Sequence, residues 1–370
     1  MPQIVISANT SFNLYNFRLP LIKKLQKEGL KIIALAPMDE YTEDLKKEVD
    51  FIPLQFLDRK GLNPFKDFLF FKELLEYYKK LSPNLVINFT IKNNLYGTLA
   101  ASLLEIKSIS VVTGLGYLFL GNNPLKIGIR LLYKNLLRLN QKVIFQNKED
   151  LLEFPYLGSK AVLIPGSGVD TDKLSPHFCQ KLNLKPKYDF LFVGRLLKDK
   201  GIYELVEAVR ILKSRGLNPK VALLGKLDQG NPAVIKKQEL DRWIKENLIE
   251  YLGYTKDVRK IICQSKAIVL PSYREGLPRA LLEAMSMEKP IIATDIPGCR
   301  EICFDNINCL KVEKKNPISL ANAMEKFLNF PSGKVEAMGK YGRKLVEEKY
   351  STKVVNELYL KTIEEVLNGT

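Results

Sequence analysis

The chain has 370 residues, 46% of them hydrophobic and 26% charged, and carries a formal net charge of +16. Such a length and balance fit two globular domains of ordinary size and exclude a disordered or fibrous chain. The basic excess, spread over both halves, favours an anionic partner; no helix-turn-helix, zinc or RNA-recognition pattern accompanies it, so no nucleic acid is expected.

The opening MPQIVISANTSF lacks a basic start followed by a long apolar stretch, so no secretory signal is expected. The longest uncharged run, 108–125, carries glycines, asparagines and a proline and is not expected to span a bilayer. The five cysteines read as free thiols in a reducing cytoplasm. Cys299, Cys303 and Cys309 cluster, but their spacing fits no zinc pattern and the chain has a single histidine, so no metal is expected.

In chain order, residues 4–8 read as a first parallel strand and 9–16 as a loop. A helix at 18–29 follows, with Leu19, Leu21, Ile22 and Leu25 on its apolar side, then a strand at 31–36. The loop holds no glycine, which makes it a poor phosphate cradle of the dinucleotide-binding type. Residues 65–81 set Phe65, Phe68, Leu69, Phe71, Leu75 and Tyr78 on a helical pattern among lysines, a stripe that fits either a core face or an interfacial helix. Strands follow at 83–89 and 110–113, separated by a loop and helix at 90–104. The second of them ends in the flexible turn Thr113-Gly114-Leu115-Gly116-Tyr117. Crevices at such carboxyl ends are where open α/β sheets bind ligands.

No acidic residue lies between Glu105 and Glu149. Lys126, Arg130, Lys134 and Arg138 recur every fourth residue there, on a helix rich in Leu and Ile. A basic stripe beside an apolar face suits an anionic membrane surface; a core helix with a solvated lysine face is the other reading. Strands at 142–145 and 161–164 complete a first domain, 1–170. Residues 171–187 read as a Pro-containing linker holding His177 at the surface, and Asp170 and Asp172 read as structural.

The second domain, 188–350, opens with a strand at 188–193 and the turn Gly194-Arg195-Leu196-Leu197-Lys198-Asp199-Lys200-Gly201. The helix that follows has the buried stripe Ile202, Leu205, Val206, Val209 and Leu212. Arg195 and Lys200 flank this strand-to-helix turn, where a planar fork and a point charge both reach a diphosphate. Further strands lie at 221–225 and 249–253. A strand at 267–270 ends at Pro271, and a polar loop leads to a helix starting near Pro278 with Ala280, Leu281, Ala284 and Met285 on its apolar face. Glu275 stands in that loop and Glu283 in the second helical turn, the spacing E-x7-E. N–H groups around Gly276 and Leu277 lie at the positive end of the helix and can bind a phosphate, while acceptor-only carboxylates pair with vicinal hydroxyls. A ligand with phosphate between two polyols, a nucleotide sugar, fits that layout. The chain is helical after 331 and ends in a helix at 351–370.

The EGLP string, the E-A-M turn, KPII-A and IPGCRE, together with GR-x4-KG, resemble the donor-site signature of family 4 retaining glycosyltransferases. The resemblance is close over 188–302 and loose over the rest. It implies an α/β chain of the GT-B fold: two doubly wound Rossmann-like domains facing one cleft, with the terminal helix crossing back to the first. It also implies retaining transfer from a nucleotide sugar without metal or cofactor. Arg195 and Lys200 would hold the donor diphosphate and stabilise the leaving group, with help from the helix terminus at Gly276 and Leu277. Glu283 would hold ribose hydroxyls, and Glu275 would orient the transferred sugar and offset positive charge on its ring. The 254–258 segment, beginning at Tyr254, would frame the base. The NFRLPLI start and the TGLGY turn resemble bacterial enzymes that extend polyprenyl-diphosphate-linked sugars, which puts Asn16, Arg18 and Thr113 on the acceptor side. Arg18 would meet an acceptor phosphate or stand as a surface arginine.

The expected partners are therefore a UDP-sugar donor, a polyprenyl-diphosphate-linked sugar acceptor and an anionic membrane surface. The expected place is the cytoplasm, peripherally at the inner face of the cell membrane, and the sugar is read as an N-acetylhexosamine. Many family members place a histidine near the sugar in the first domain; this sequence has none there, and residues 113–117 occupy the region instead. A lipopolysaccharide or soluble glycan acceptor stays open. Two readings of other classes also stand: a sugar-nucleotide epimerase, which needs positioned acid and base groups, and a catalytically silent membrane-bound scaffold.

Overall fold

The computed structural model describes residues 1–58, 63–115, 124–228 and 230–369, the side chains of 124–126 excepted. The chain forms two units, Met1–Gly168 with Thr352–Thr370, and Val169–Ser351.

The first unit is built on a parallel sheet of β1 (Gln3–Ser7), β2 (Lys31–Ala36), β3 (Asp50–Pro53), β4 (Leu85–Phe89), β5 (Lys107–Val112), β6 (Lys142–Phe145) and β7 (Ala161–Leu163). Their order is β3-β2-β1-β4-β5-β6-β7. Strands such as KIIALA and LVINF are apolar without a break because helices cover both faces. Alternation along β1 divides the core: Ile4 and Ile6 pack on one side of the sheet and Val5 on the other. On the first side lie Leu21, Ile22 and Leu25 of the Leu19–Lys27 helix, with Val355, Tyr359 and Ile363 of the terminal Thr352–Asn368 helix. Lys24 bridges Glu28 and Glu357 at 2.9 and 2.7 Å. Lys107 Nζ donates to the carbonyls of Val366 and Leu367, a cation placed at the negative end of the terminal helix.

The second unit repeats the scheme with β8 (Tyr188–Val193), β9 (Val221–Leu224), β10 (Glu250–Tyr251), β11 (Ser265–Leu270), β12 (Ile291–Thr294) and β13 (Cys309–Val312). Their order is β10-β9-β8-β11-β12-β13, again all parallel. In both sheets the chain runs from an inner strand to one edge and then returns to start on the other side. The switch points fall between β1 and β4 and between β8 and β11, the positions where such sheets hold ligands beyond the strand ends.

Several elements differ from the sequence expectation. The edge strands β3 (DFIP) and β13 (CLKV) are too short and mixed to stand out as patterns. Residues 9–16 are mostly helical rather than loop: a turn at Ser11–Asn13, capped by Thr10, runs into the wide-turned Leu14–Arg18 segment. The Pro64–Leu81 helix turns Phe70, Leu74 and Tyr78 inward, while Phe65 and Phe68 stand 68% and 54% exposed. Residues 171–187 are not a linker. Leu174 lies in the second core, and Ser175 caps the Pro176–Lys181 helix. The cysteines are not all free thiols: Cys179 and Cys263 form a disulfide, since helix packing brings residues 84 apart in sequence to a Cα separation of 5.3 Å. Cys299, Cys303 and Cys309 are free and buried. Among the described residues no helix is long and apolar enough to cross a membrane.

Candidate active site

At the switch point of the second unit, β8 ends at Val193 and the chain turns through Gly194 and Arg195 into one short turn at Lys198–Lys200. Gly201 then takes φ +70 to enter the Ile202–Ser214 helix. A Cβ there would lie 2.0 Å from the Pro271 carbonyl, so only glycine lets this turn meet the loop that follows β11. The two loops are further joined by the Tyr273 N–H donating to the Asp199 carbonyl at 2.8 Å. The Tyr273 hydroxyl donates to Glu204 at 2.6 Å, and burial together with this carboxylate pushes the phenol well above its usual pKa.

This contact brings together residues that the sequence separates by 75 positions. Lys200 Nζ and Glu275 Oε1 lie 2.6 Å apart, their side chains 18% and 14% exposed. Such partial burial strengthens a charge pair relative to an exposed one. Helix Arg279–Ser286 begins one residue later than expected, with Pro278 as its N-cap. Arg279, which spacing alone leaves without a role, donates from Nε to Glu283 Oε1 at 2.8 Å. Gly276 and Leu277 are half-buried just before this helix. Arg195 does not join the Lys200–Glu275 pair; its Nη1 contacts Asp228 Oδ2 at 3.0 Å. Tyr254 is 41% exposed with Lys226 Nζ 4.3 Å from its ring centroid. Asp228, Lys226 and Tyr273 escape sequence reasoning because each lies alone in a loop without a repeating pattern. The arrangement offers cations, carboxylates and a helix N-terminus on one strand edge. It suits a ligand with both anionic and hydroxyl-bearing parts. Asp170 accepts from the Asp172 and Lys173 N–H groups as a turn cap, and His177 is exposed. Among the described residues no cluster of His, Cys, Asp or Glu has a metal-holding arrangement.

The residues expected on the acceptor side are placed differently. Asn16 is half-buried and donates to the Phe12 carbonyl, and Thr113 is half-buried just beyond the end of β5. Arg18 is not a surface arginine: it is 4% exposed, its guanidinium 4.2 Å from the Phe89 ring centroid. Stacking on a strand aromatic makes it part of the first core. In helix Pro124–Leu137, Tyr133 and Leu137 are buried while Ile127, Leu131 and Leu132 are exposed. Of the basic stripe, Arg130 is half-buried. Lys134 Nζ stands 5.4 Å from the Phe154 ring and the Arg138 guanidinium 4.5 Å from the Tyr156 ring. Gly116, Tyr117 and the Lys126 side chain lie outside the described residues.

Comparison with known proteins identifies the family. A model of glycosyl transferases group 1 matches residues 177–345, and a glycosyl transferase 4-like model matches 3–147. The chain is 26% identical to the N,N'-diacetylbacillosaminyl-diphospho-undecaprenol alpha-1,3-N-acetylgalactosaminyltransferase of Campylobacter jejuni, over 96% of this chain and 97% of that protein. It is 25% identical to the UDP-Gal:alpha-D-GlcNAc-diphosphoundecaprenol alpha-1,3-galactosyltransferase of Escherichia coli, over 85% and 88%. Anabaena Alr3699/HepE, solved in complex with UDP and glucose, superposes with a TM-score of 0.80 at 16% identity, covering 98% of this chain and all of that one. Matched in both units by glycosyltransferase models, the chain belongs to the group 1, family 4-like glycosyltransferases and has their GT-B fold.

Proposed function

We propose that the protein moves an N-acetylhexosamine from a UDP-sugar to a polyprenyl-diphosphate-linked sugar, with retention at the anomeric carbon and without a metal. The observation that carries this reading is the Lys200–Glu275 pair held between two abutting loops at the switch point. In the reaction the bond from the sugar C1 to the diphosphate breaks and a bond from C1 to an acceptor hydroxyl oxygen forms. The hydroxyl proton leaves with the departing diphosphate. Lys200, Arg195 and the helix terminus at Gly276 and Leu277 stabilise the negative charge that grows on that leaving group, an electrostatic role that commonly dominates such catalysis. Glu275 orients the sugar and faces the positive charge developing on its ring, Glu283 binds the ribose hydroxyls, and Tyr254 frames the base. Asn16 and Thr113 serve the acceptor.

A relative over nearly the whole chain acts on an undecaprenyl-diphosphate-linked acceptor, and a structural neighbour binds UDP. Both support the substrates named. The basic and exposed apolar residues of the Pro124–Leu137 helix support peripheral binding to an anionic membrane at its inner face.

Thermal unfolding with UDP, GDP, ADP and several UDP-sugars tests the donor: a ligand at about 100 times its Kd stabilises the fold by roughly 2.7 kcal/mol. UDP and one UDP-N-acetylhexosamine are expected to raise Tm, and the same sugar is expected to appear, α-linked, on a synthetic lipid-diphosphate acceptor. Turnover of the UDP-sugar with no acceptor would instead indicate an epimerase. Stabilisation by GDP or ADP alone would overturn the donor, and no shift with any nucleotide would favour a silent scaffold.

A further inference from the structure

After β9, residues 225–228 and 230–235 are bonded to the Gly194-to-Lys200 turn at both ends. The Leu196 N–H donates to the Lys226 carbonyl, Lys198 to Ala233, and Ile235 back to Leu196, at 3.0, 2.7 and 3.0 Å. Leu197 and Val234 form an antiparallel bridge. Gly225, at φ +156, passes so close that a Cβ would lie 1.8 Å from the Gly194 carbonyl. From this braced loop Asp228 reaches Arg195, Oδ2 to Nη1 at 3.0 Å; the carboxylate side chain is 15% exposed and the arginine 52%. Asp228 is itself fixed by Asn231, whose Nδ2 contacts Oδ2 at 3.3 Å and whose N–H donates to the Asp228 carbonyl at 3.0 Å.

A planar guanidinium presents several N–H donors in a fixed fork. Anchoring one edge on a largely buried carboxylate sets the direction of the rest. We propose that Asp228 is a positioning residue: it holds the Arg195 fork so that its outer edge meets the terminal phosphate of a nucleoside diphosphate. This rests on the reading of Arg195 as a donor-diphosphate ligand given above. The placement has an opposing term, since a second anion beside a diphosphate repels it. Orientation outweighs repulsion, because the charge of Asp228 is already neutralised by the Arg195 guanidinium 3.0 Å away.

The test is calorimetric binding of UDP and UMP to the intact protein and to Arg195→Ala, Asp228→Ala, Asp228→Asn and the double variant Arg195→Ala/Asp228→Ala. Asp228→Ala is expected to weaken UDP about tenfold, of the order found for coupled charged neighbours, and to leave UMP unchanged. Asp228→Asn, which keeps an acceptor oxygen, is expected to recover most of the loss. In the Arg195→Ala background the Asp228→Ala change is expected to add nothing. Equal weakening of UDP and UMP, or a further loss in the Arg195→Ala background, would show that Asp228 merely supports the loop and would overturn the proposal. Tighter UDP binding by Asp228→Ala would overturn it by showing that repulsion wins. If Arg195→Ala binds UDP as well as the intact protein, the reading of Arg195 fails and the role of Asp228 falls with it.

Discussion

The two sheets share a winding scheme and differ in what stands near their switch points. Around β8 and β11 the residues are charged: Lys200 with Glu275, Arg195 with Asp228, Arg279 with Glu283. Around β1 and β4 a buried neutral network predominates, with the Arg18 guanidinium on Phe89 and a Lys92–Asp67 pair beside it. Asn88 on β4 accepts from the Ser7 hydroxyl at 2.7 Å and the Tyr78 hydroxyl at 3.1 Å. Asn94 donates to the Val111 carbonyl and to Tyr133, and Asn140 gathers Ser108, Ser110 and Thr98. All of these neutral groups are buried. Topology fixes where a ligand can lie in each unit, and side-chain chemistry decides what the place can do. The neutral network shapes the first unit through these hydrogen bonds, although among the described residues Asn88 Nδ2 and Asn94 Oδ1 find no partner. The charged pairs of the second can exchange one another for the ions and hydroxyls of a ligand.

The strongest way to break this contrast is to remove charge from the second unit and watch turnover. Lys200→Ala is expected to lower kcat by about a hundredfold, the usual loss when one stabiliser of leaving-group charge is removed, with Tm little changed. Glu275→Gln keeps the shape and is expected to cost at least about tenfold in transfer rate, or ~1.4 kcal/mol. Steady-state kinetics with the stabilising UDP-sugar checks both, and unchanged rates for the two variants would remove the site assignment.

The same contrast predicts the opposite outcome in the first unit. Asn88→Leu leaves the Ser7 and Tyr78 hydroxyls without their shared acceptor in a buried place. A cost of about 2 kcal/mol in stability is expected, within the range for stranding buried polar groups. UDP affinity should not change. Denaturant unfolding beside UDP calorimetry measures both quantities, and a loss of UDP affinity with no loss of stability would refute the division of roles.

How far these roles can be read from the sequence follows the same line. The GR-x4-KG turn and the E-x7-E loop are legible because each is a local string at the end of a strand, where glycine, proline and charge have positional meaning. Most strands are legible because a parallel strand is an unbroken apolar run. What escapes is long-range. Nothing local says that Asp228 meets Arg195, that Cys179 meets Cys263, or that Arg18 stacks on Phe89. The aromatic helix shows a subtler limit. Its stripe is apolar on more than one face, so the pattern cannot choose Phe70, Leu74 and Tyr78 over Phe65 and Phe68 as the buried set.

The smallest effect tests whether charge in the second unit is placed for ligand alone. Lys289, half-buried after the Arg279–Ser286 helix, donates to the Cys263 carbonyl at 3.2 Å, and burial lowers its pKa to about 8, Glu288 opposing only weakly. Its folded pKa lies below the unfolded value, so over the interval between them the unfolded chain binds more protons. Stability contributed by this group must therefore rise with pH from about 8 to the ordinary lysine range. Between pH 7 and pH 9 the gain is expected to be about 1 kcal/mol. Lys289→Met keeps the length of the side chain and removes the titration. The difference between the two unfolding curves, in which the buried thiols and phenols common to both cancel, should shrink by that amount as pH rises. A constant difference across the range would mean that the buried ammonium is fully compensated, and that it belongs with the paired charges rather than apart from them.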